Sequence, residues 1–254
     1  CNESVELARL IYDFGKHAAE EDGVPGWSKL AIIAHHDCLG DLITLSPLLF
    51  NQHIPVFYIR ELGVIDDATA ASIQGGGFTD LIALGVDKHI PDTFLAACAT
   101  HGVKSERLIG KNPYDANEKI NDLITSGQVE GARLTIDNLI VSSVWNPADA
   151  FAAGAWAAKT DSAFLLEDPQ NLDSVAHAIS YIKKKGGSVK HLTFLGDSSQ
   201  FGRLDKEMLG KAVQEALVDA GLADTGAEDA QPAETERTDF TSADAASANT
   251  QENE

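Results

Sequence analysis

Two stretches decide how this chain folds: IIAHHDCLGDLITLSPLLFNQHIPVFYI, from Ile32 to Ile59, and IVSSVWNPADAFAAGAWAAKTDSAFLLE, from Ile140 to Glu167. They superpose without a gap, placing Asp41 on Asp149, Ser46 on Gly154 and Pro55 on Ala163. Each reads as an apolar run, a polar turn, an Asp opening a small-residue helix, and a second apolar run. Self-similarity at a fixed spacing marks an internal repeat, and the flanks extend it. DLIALG, Asp80 to Gly85, matches HLTFLG, His191 to Gly196, and a helix is expected after each. YDANEKINDLI, Tyr114 to Ile124, falls on CNESVELARLI, Cys1 to Ile11, as an amphipathic helix. The chain is therefore expected to start inside a repeat.

Short apolar runs such as Leu30 to Ala34 and Leu139 to Val141 lack strict alternation, as expected of strands covered on both faces. Strands alternating with helices imply a largely parallel sheet with right-handed crossovers. Helices are expected over Asp41 to Phe50, Asp149 to Ala158, Asn171 to Lys185 and Leu204 to Leu217, the third ended by Gly186-Gly187. Ala150, Ala153, Gly154 and Ala157 give the second a surface that a neighbouring backbone can approach closely. Gly75-Gly76-Gly77 precedes a strand, whereas the dinucleotide fingerprint follows one, so it reads as a flexible connector. The fold class expected is α/β: two tandem Rossmann-like modules with mainly parallel sheets. An acidic C-terminal tail follows, too poor in hydrophobes to offset its own ordering entropy and so expected to be disordered. In residue numbers, 1–25 is the closing helix of a preceding or incomplete repeat, 26–130 the first repeat, 131–222 the second and 223–254 the tail.

A formal net charge of −20 argues against nucleic acid and against electrostatic docking to an anionic membrane. No apolar run approaches the ~20 residues a membrane-spanning helix needs. Cys1, Cys38 and Cys98 have no CxxC spacing and an odd count, so no disulfide framework is expected; Cys38 at a strand end and Cys98 on a helix read as buried thiols. Cys1 admits two readings, the lipidated first residue of a processed lipoprotein or an internal residue of a longer chain, and the repeat favours the second.

The repeated unit resembles the cell wall-binding repeat 2 family of Gram-positive bacteria. SVWNPADAFAAGAWAAKTDSAFLLED, Ser143 to Asp168, follows that family's N-F-x-D-A-L-A-A turn, small-residue helix and second strand. LTFLG stands for its strand ending in I-G-G, and RLIGKNPYDANEKI, Arg107 to Ile120, for its closing segment. Val86 and Asp197 replace the second Gly of that ending, and Pro113 replaces the Arg of its closing R-Y. The resemblance spans nearly all of residues 1 to 220. It implies Toprim-like modules, often three around a pseudo-threefold axis, so that a third repeat or another chain is an expected partner. It implies non-covalent anchoring of an extracellular surface protein to an anionic wall polymer or to peptidoglycan, with no catalysis and no cofactor.

An acidic chain gripping an anionic polymer needs local cations or bridging calcium or magnesium. Arg107 and Lys111 are candidates, as are Lys183, Lys184, Lys185 and Lys190, which equally suit a solvated helix C-terminus. The polymer-binding set implied is Arg107, Lys111, Tyr114, Asn146, Asp149 and Asp41. Tyr114 suits either stacking on a sugar or packing of its helix. Asp41 and Asp149 each open a helix and are read as caps to exposed backbone N–H groups. His35-His36-Asp37 has good zinc-ligand chemistry, but adjacent strand residues point to opposite faces and the second copy has Ser143, Val144 and Trp145 there, so no metal site is expected. No GxSxG is present, and Ser142-Ser143 and Ser198-Ser199 have no identifiable base. The rival reading is an α/β enzyme with His35, His36, Asp37 and Asp41 in a crevice at the strand C-terminal ends.

Overall fold

The structure is a computed structural model and describes residues 2–21, 29–128, 134–144, 146–196 and 199–223. Cys1, Trp145, Asp197, Ser198 and all of the acidic tail beyond Ala223 lie outside the described residues.

The first half runs α1 (Asn2–Glu20), β1 (Leu30–His35), a 3-10 turn (His36–Cys38), α2 (Leu39–Gln52), β2 (Val56–Ile59), α3 (Asp67–Gly75), β3 (Asp80–Leu84), α4 (Asp92–Thr100) and β4 (Lys104–Leu108). The second runs α5 (Pro113–Thr125), β5 (Thr135–Ser143), α6 (Pro147–Lys159), β6 (Ser162–Glu167), α7 (Leu172–Lys184), a 3-10 turn (Gly186–Ser188), β7 (His191–Leu195) and α8 (Arg203–Asp219). The strands form two parallel sheets, ordered β2-β1-β3-β4 and β6-β5-β7, so the molecule is α/β with mainly parallel sheets, as expected.

The register of the two sheets corresponds residue for residue. Ile32 pairs with Val56 and His35 with Ile59; Ile140 pairs with Phe164 and Ser143 with Glu167. On the other side Leu30 pairs with Asp80 and Ala34 with Leu84, while Asn138 pairs with His191 and Ser142 with Leu195. These are the positions that the sequence superposition equates. The helices α4 and α8 follow β3 and β7, as anticipated. Only the first sheet carries a fourth strand among the described residues.

All six residues of β1 are buried. Successive strand side chains point to opposite faces, so Leu30, Ile32 and Ala34 meet Leu45 and Leu48 of α2, while Ala31 and Ile33 meet Val5 of α1, Ile73 of α3 and Cys98 of α4. Both cysteines of this sheet are buried thiols. Gly75, Gly76 and Gly77 are not a loose connector: Gly75 is the last residue of α3 and Gly76 its C-cap.

The halves meet where equivalent helices cross, α2 against α6. A Cβ on Gly154 would lie 1.9 Å from Oγ of Ser46, so the small residue is what lets the two backbones approach. The helix α5 completes the seam. Its Ile120 and Ile124 are buried with the first core, whereas buried Asn121 serves the edge strand β6, its Nδ2 donating to Phe164 O at 2.7 Å and its Oδ1 accepting from Phe164 N at 3.2 Å. That amide stands in for a missing neighbouring strand. Asn117 Nδ2 donates to Thr44 Oγ1 of α2 at 2.8 Å.

Candidate functional site

In the first sheet the chain leaves β1 toward β2 on one side and β3 toward β4 on the other, so a crevice opens between the C-terminal ends of β1 and β3. Such switch points are where open α/β sheets bind ligands. His35 ends β1 and is 1% exposed, its ring fixed at both nitrogens: Nε2 lies 3.2 Å from Arg60 O, and Nδ1 accepts from Asp37 N at 3.2 Å. A carbonyl only accepts, so the proton resides on Nε2 and the lone pair on Nδ1. The 3-10 turn then swings Asp37 back over the strand end, with Oδ2 3.4 Å from His35 Nδ1, while His36 turns outward and reaches Oδ1 at 3.0 Å.

The third member, His89, comes from the loop after β3. Its ring stacks on His35 with centroids 4.9 Å apart and 4° between planes, and its Nε2 lies 3.4 Å from Asp37 Oδ2. Gly85 makes room for it. With φ at +112°, a Cβ there would lie 2.7 Å from His89 Nδ1 and 3.0 Å from Cys38 Sγ. Burial, and then the neighbouring His35, hold the His89 imidazole below its ordinary pKa. Burial followed by Asp41 pushes the Cys38 thiol up to about 11, and its Sγ donates to Leu84 O. Asp41 is itself raised to about 6 by burial. Thus Cys38 is a protonated lining residue at neutral pH, not a nucleophile.

Arg107, expected to meet a polymer, instead ties down this loop. Its guanidinium donates to Gly85 O and Ile90 O, the two ends of the segment bearing His89, and pairs with Asp92. Lys111 is exposed, and its backbone N–H is held by Asp115. Tyr114 packs its helix: the hydroxyl accepts from Asn171 Nδ2 at 2.9 Å and donates to Asp168 Oδ2 at 3.4 Å. Lys183 is paired with Glu215, Lys184 with Glu118 and Asp122, Lys185 with Asp122, and Lys190 with Asp137. None of these lysines is an uncompensated cation.

Asp41 and Asp149 do not cap their helices. Each helix starts two residues earlier than expected, so Asn146 is the N-cap of α6, accepting from Ala148 N and Asp149 N, and Cys38 is the N-cap of α2 without a side-chain bond. The carboxylate of Asp149 accepts from Asn146 Nδ2 at 2.8 Å and from Gln200 Nε2 at 3.1 Å. Asn146 and Asp149 therefore lie together in the second crevice and Arg107 braces the loop of the first, whereas Lys111 and Tyr114 converge on neither.

Of the residues named for a crevice site, the structure brings His35 and Asp37 together, leaves His36 at the rim and Asp41 on the first turn of α2. Sequence reading missed His89. A signal was present, because carrying the DLIALG and HLTFLG match four residues past their glycines sets His89 against Gln200.

No family model matches the chain, and no curated protein matches it either. Among solved structures it is similar in fold to Cwp8 from Clostridium difficile, at 17% identity and a TM-score of 0.57, over 76% of this chain and 30% of that one. It is also similar to Cwp6 from the same organism, at 15% identity and a TM-score of 0.60, over 82% of this chain and 30% of that one. The likeness is one of fold, and this chain spans about 30% of the length of either neighbour.

Proposed function

We propose that the chain is a non-catalytic wall-binding module of the cell wall-binding repeat 2 kind, holding an extracellular protein on the surface of a Gram-positive bacterium through an anionic wall polymer. The observation that carries this reading is the fold shared with two cell wall proteins over three quarters or more of the chain. The duplicated sheet register supports it, because it matches the repeat that the sequence resemblance implies. No helix among the described residues is long and apolar enough to cross a membrane.

A third unit, or another chain, is proposed to cover α1. On α5, Ile120, Leu123 and Ile124 lie against the first core, Ile120 and Ile124 fully buried. Their counterparts on α1 include Leu7 and Leu10, which are 59% and 66% exposed. Removing such a stripe from water is favourable at about 25 cal/mol per Å².

Co-sedimentation with purified Gram-positive walls, before and after stripping of their secondary polymers, tests the reading. Retention that disappears with the polymers is expected, and it should survive loss of His35 and His36. Retention on stripped walls would assign peptidoglycan as the ligand, and no retention on either would overturn the proposal.

A further inference from the structure

We propose that His35 Nδ1, Asp37 Oδ2 and His89 Nε2 form a binding site for a divalent transition-metal cation of the zinc class, at the mouth of the first crevice. The three ligand atoms lie within 4.8 Å of one another, and both contacts to Asp37 Oδ2 measure 3.4 Å. Zinc held tetrahedrally at roughly 2.0–2.1 Å from nitrogen and oxygen requires ligand atoms about 3.3 Å apart. Two edges of that tetrahedron are already in place. The third, between the two imidazoles, lies within 4.8 Å and closes only if the His89 ring tilts out of its stack on His35; His89 sits at the mouth of the crevice with 14% of its side chain exposed.

The surroundings suit a cation. The proton on His35 Nε2 is directed at Arg60 O, the carbonyl partner that commonly orients a metal-bound imidazole and fixes its tautomer. That leaves the Nδ1 lone pair facing a carboxylate oxygen at 3.4 Å beneath a buried ring. Two acceptors so placed repel unless positive charge lies between them. On binding, Nδ1 exchanges its 3.2 Å contact from Asp37 N for the metal. His36 holds the other oxygen of Asp37 at 3.0 Å, and Arg107 anchors both ends of the loop bearing His89. Ligands and supports thus come from β1, the turn after it, the loop after β3, and β4.

Two imidazoles and one carboxylate favour zinc, cobalt or nickel over calcium and magnesium, which take oxygen donors. With three protein ligands, and Asp37 half exposed, the fourth position opens to solvent. Cys38 is not a ligand, as its thiol is turned to Leu84 O. The inference stands on the crevice alone and is independent of wall binding.

The test is titration of the full, chelator-stripped chain with cobalt(II) and zinc, followed by visible absorption and calorimetry. One ion per chain with a tetrahedral cobalt spectrum is expected. Affinity should fall roughly tenfold or more in Asp37→Asn and in His89→Gln, and stay unchanged in His101→Ala. His89→Gln installs the side chain that the second crevice carries at this place, so the fold is retained, as circular dichroism and Tm will show. Absence of saturable one-to-one binding, affinity in both ligand variants equal to that of the unsubstituted chain, or equal competition by calcium or magnesium would overturn the proposal.

Discussion

The two crevices occupy the same place in sheets of identical register, yet they are furnished differently. In the first, His35, Asp37 and His89 surround one carboxylate oxygen, and a fourth strand supplies Arg107 to hold the loop. In the second, Ser143 and Gln200 replace the histidines, and amides donate to the Asp149 carboxylate. Neutral donors satisfy that carboxylate with no added ion. Among the described residues a duplicated backbone thus carries one pocket where imidazoles face a carboxylate and one where amides donate to a carboxylate, which teaches that the register repeats and the chemistry does not.

The comparison depends on the seam that holds the halves together, and breaking it should have the largest effect. Asn121→Leu leaves Phe164 N–H without its side-chain partner and Phe164 C=O with only the 3.5 Å contact from Asn117 Nδ2 on a buried edge strand, and an orphaned buried group costs roughly 1–3 kcal/mol. A loss of about 3 kcal/mol in urea denaturation is expected. A change under about 0.5 kcal/mol, the range of an ordinary surface substitution, would show that α5 does not secure β6.

A second difference lies at the end of the outer strands, where Ile59 has Glu167 as its counterpart. Glu167 is fully buried, neither carboxylate oxygen has a hydrogen-bond partner among the described residues, and burial, then Asp205 and Asp168, raise its pKa to about 7. Because the folded state binds this proton more tightly than the unfolded chain, the contribution is intact at acid pH and is lost as pH rises from about 4.5 to about 7. Glu167→Gln should therefore raise stability at pH 8 by about 2 kcal/mol and have little effect at pH 4. Thermal melts at both pH values check it, and a gain of equal size at each would refute the assignment to ionisation.

The crossing of α2 and α6 sharpens the comparison from inside the seam. Gly154→Ala drives a methyl into Ser46 Oγ, with an expected loss of about 1–2 kcal/mol, typical of modest overpacking. Ser46→Gly in the same chain should restore most of it, since the two positions are equivalent and share one gap. Failure of the double variant to recover would mean that the helices are not set by this contact.

Strand positions, parallel pairing and the small-residue crossing were legible because they follow from apolar runs and from one fixed spacing. The residues of the first crevice were only half legible. His36 lies in the 3-10 turn after β1, its ring tilted against that of His35 with centroids 4.0 Å apart, so strand alternation does not separate the two, and the further partner of His35 is His89, delivered by a loop whose path is a tertiary fact. Arg107 read as a surface cation because nothing local shows that Gly85 O and Ile90 O lie within its reach. The capping error had a local cause, since Pro147 is favoured at the first helical position and moves the start of α6 ahead of Asp149.

The smallest effect compares the two glycines that floor the crevices. Gly85 and Gly196 both have positive φ, so alanine is strained at either, by about 1–3 kcal/mol. What the new methyl meets differs. At Gly85 it meets the His89 ring and Cys38 Sγ, both confined, the ring by its stack on His35. At Gly196 its nearest contact is Oε1 of Gln200 at 2.5 Å, the end of a longer side chain held by one hydrogen bond to Asp149, with the Phe201 ring next at 3.2 Å. The backbone strain is common to both variants, so their difference isolates the rigidity of the histidine pocket. Gly85→Ala should be less stable than Gly196→Ala by about 1 kcal/mol, the smaller end of overpacking costs. Equal losses in paired denaturation curves would mean that the His35–His89 stack yields as readily as an amide, and that the first crevice is no more preorganised than the second.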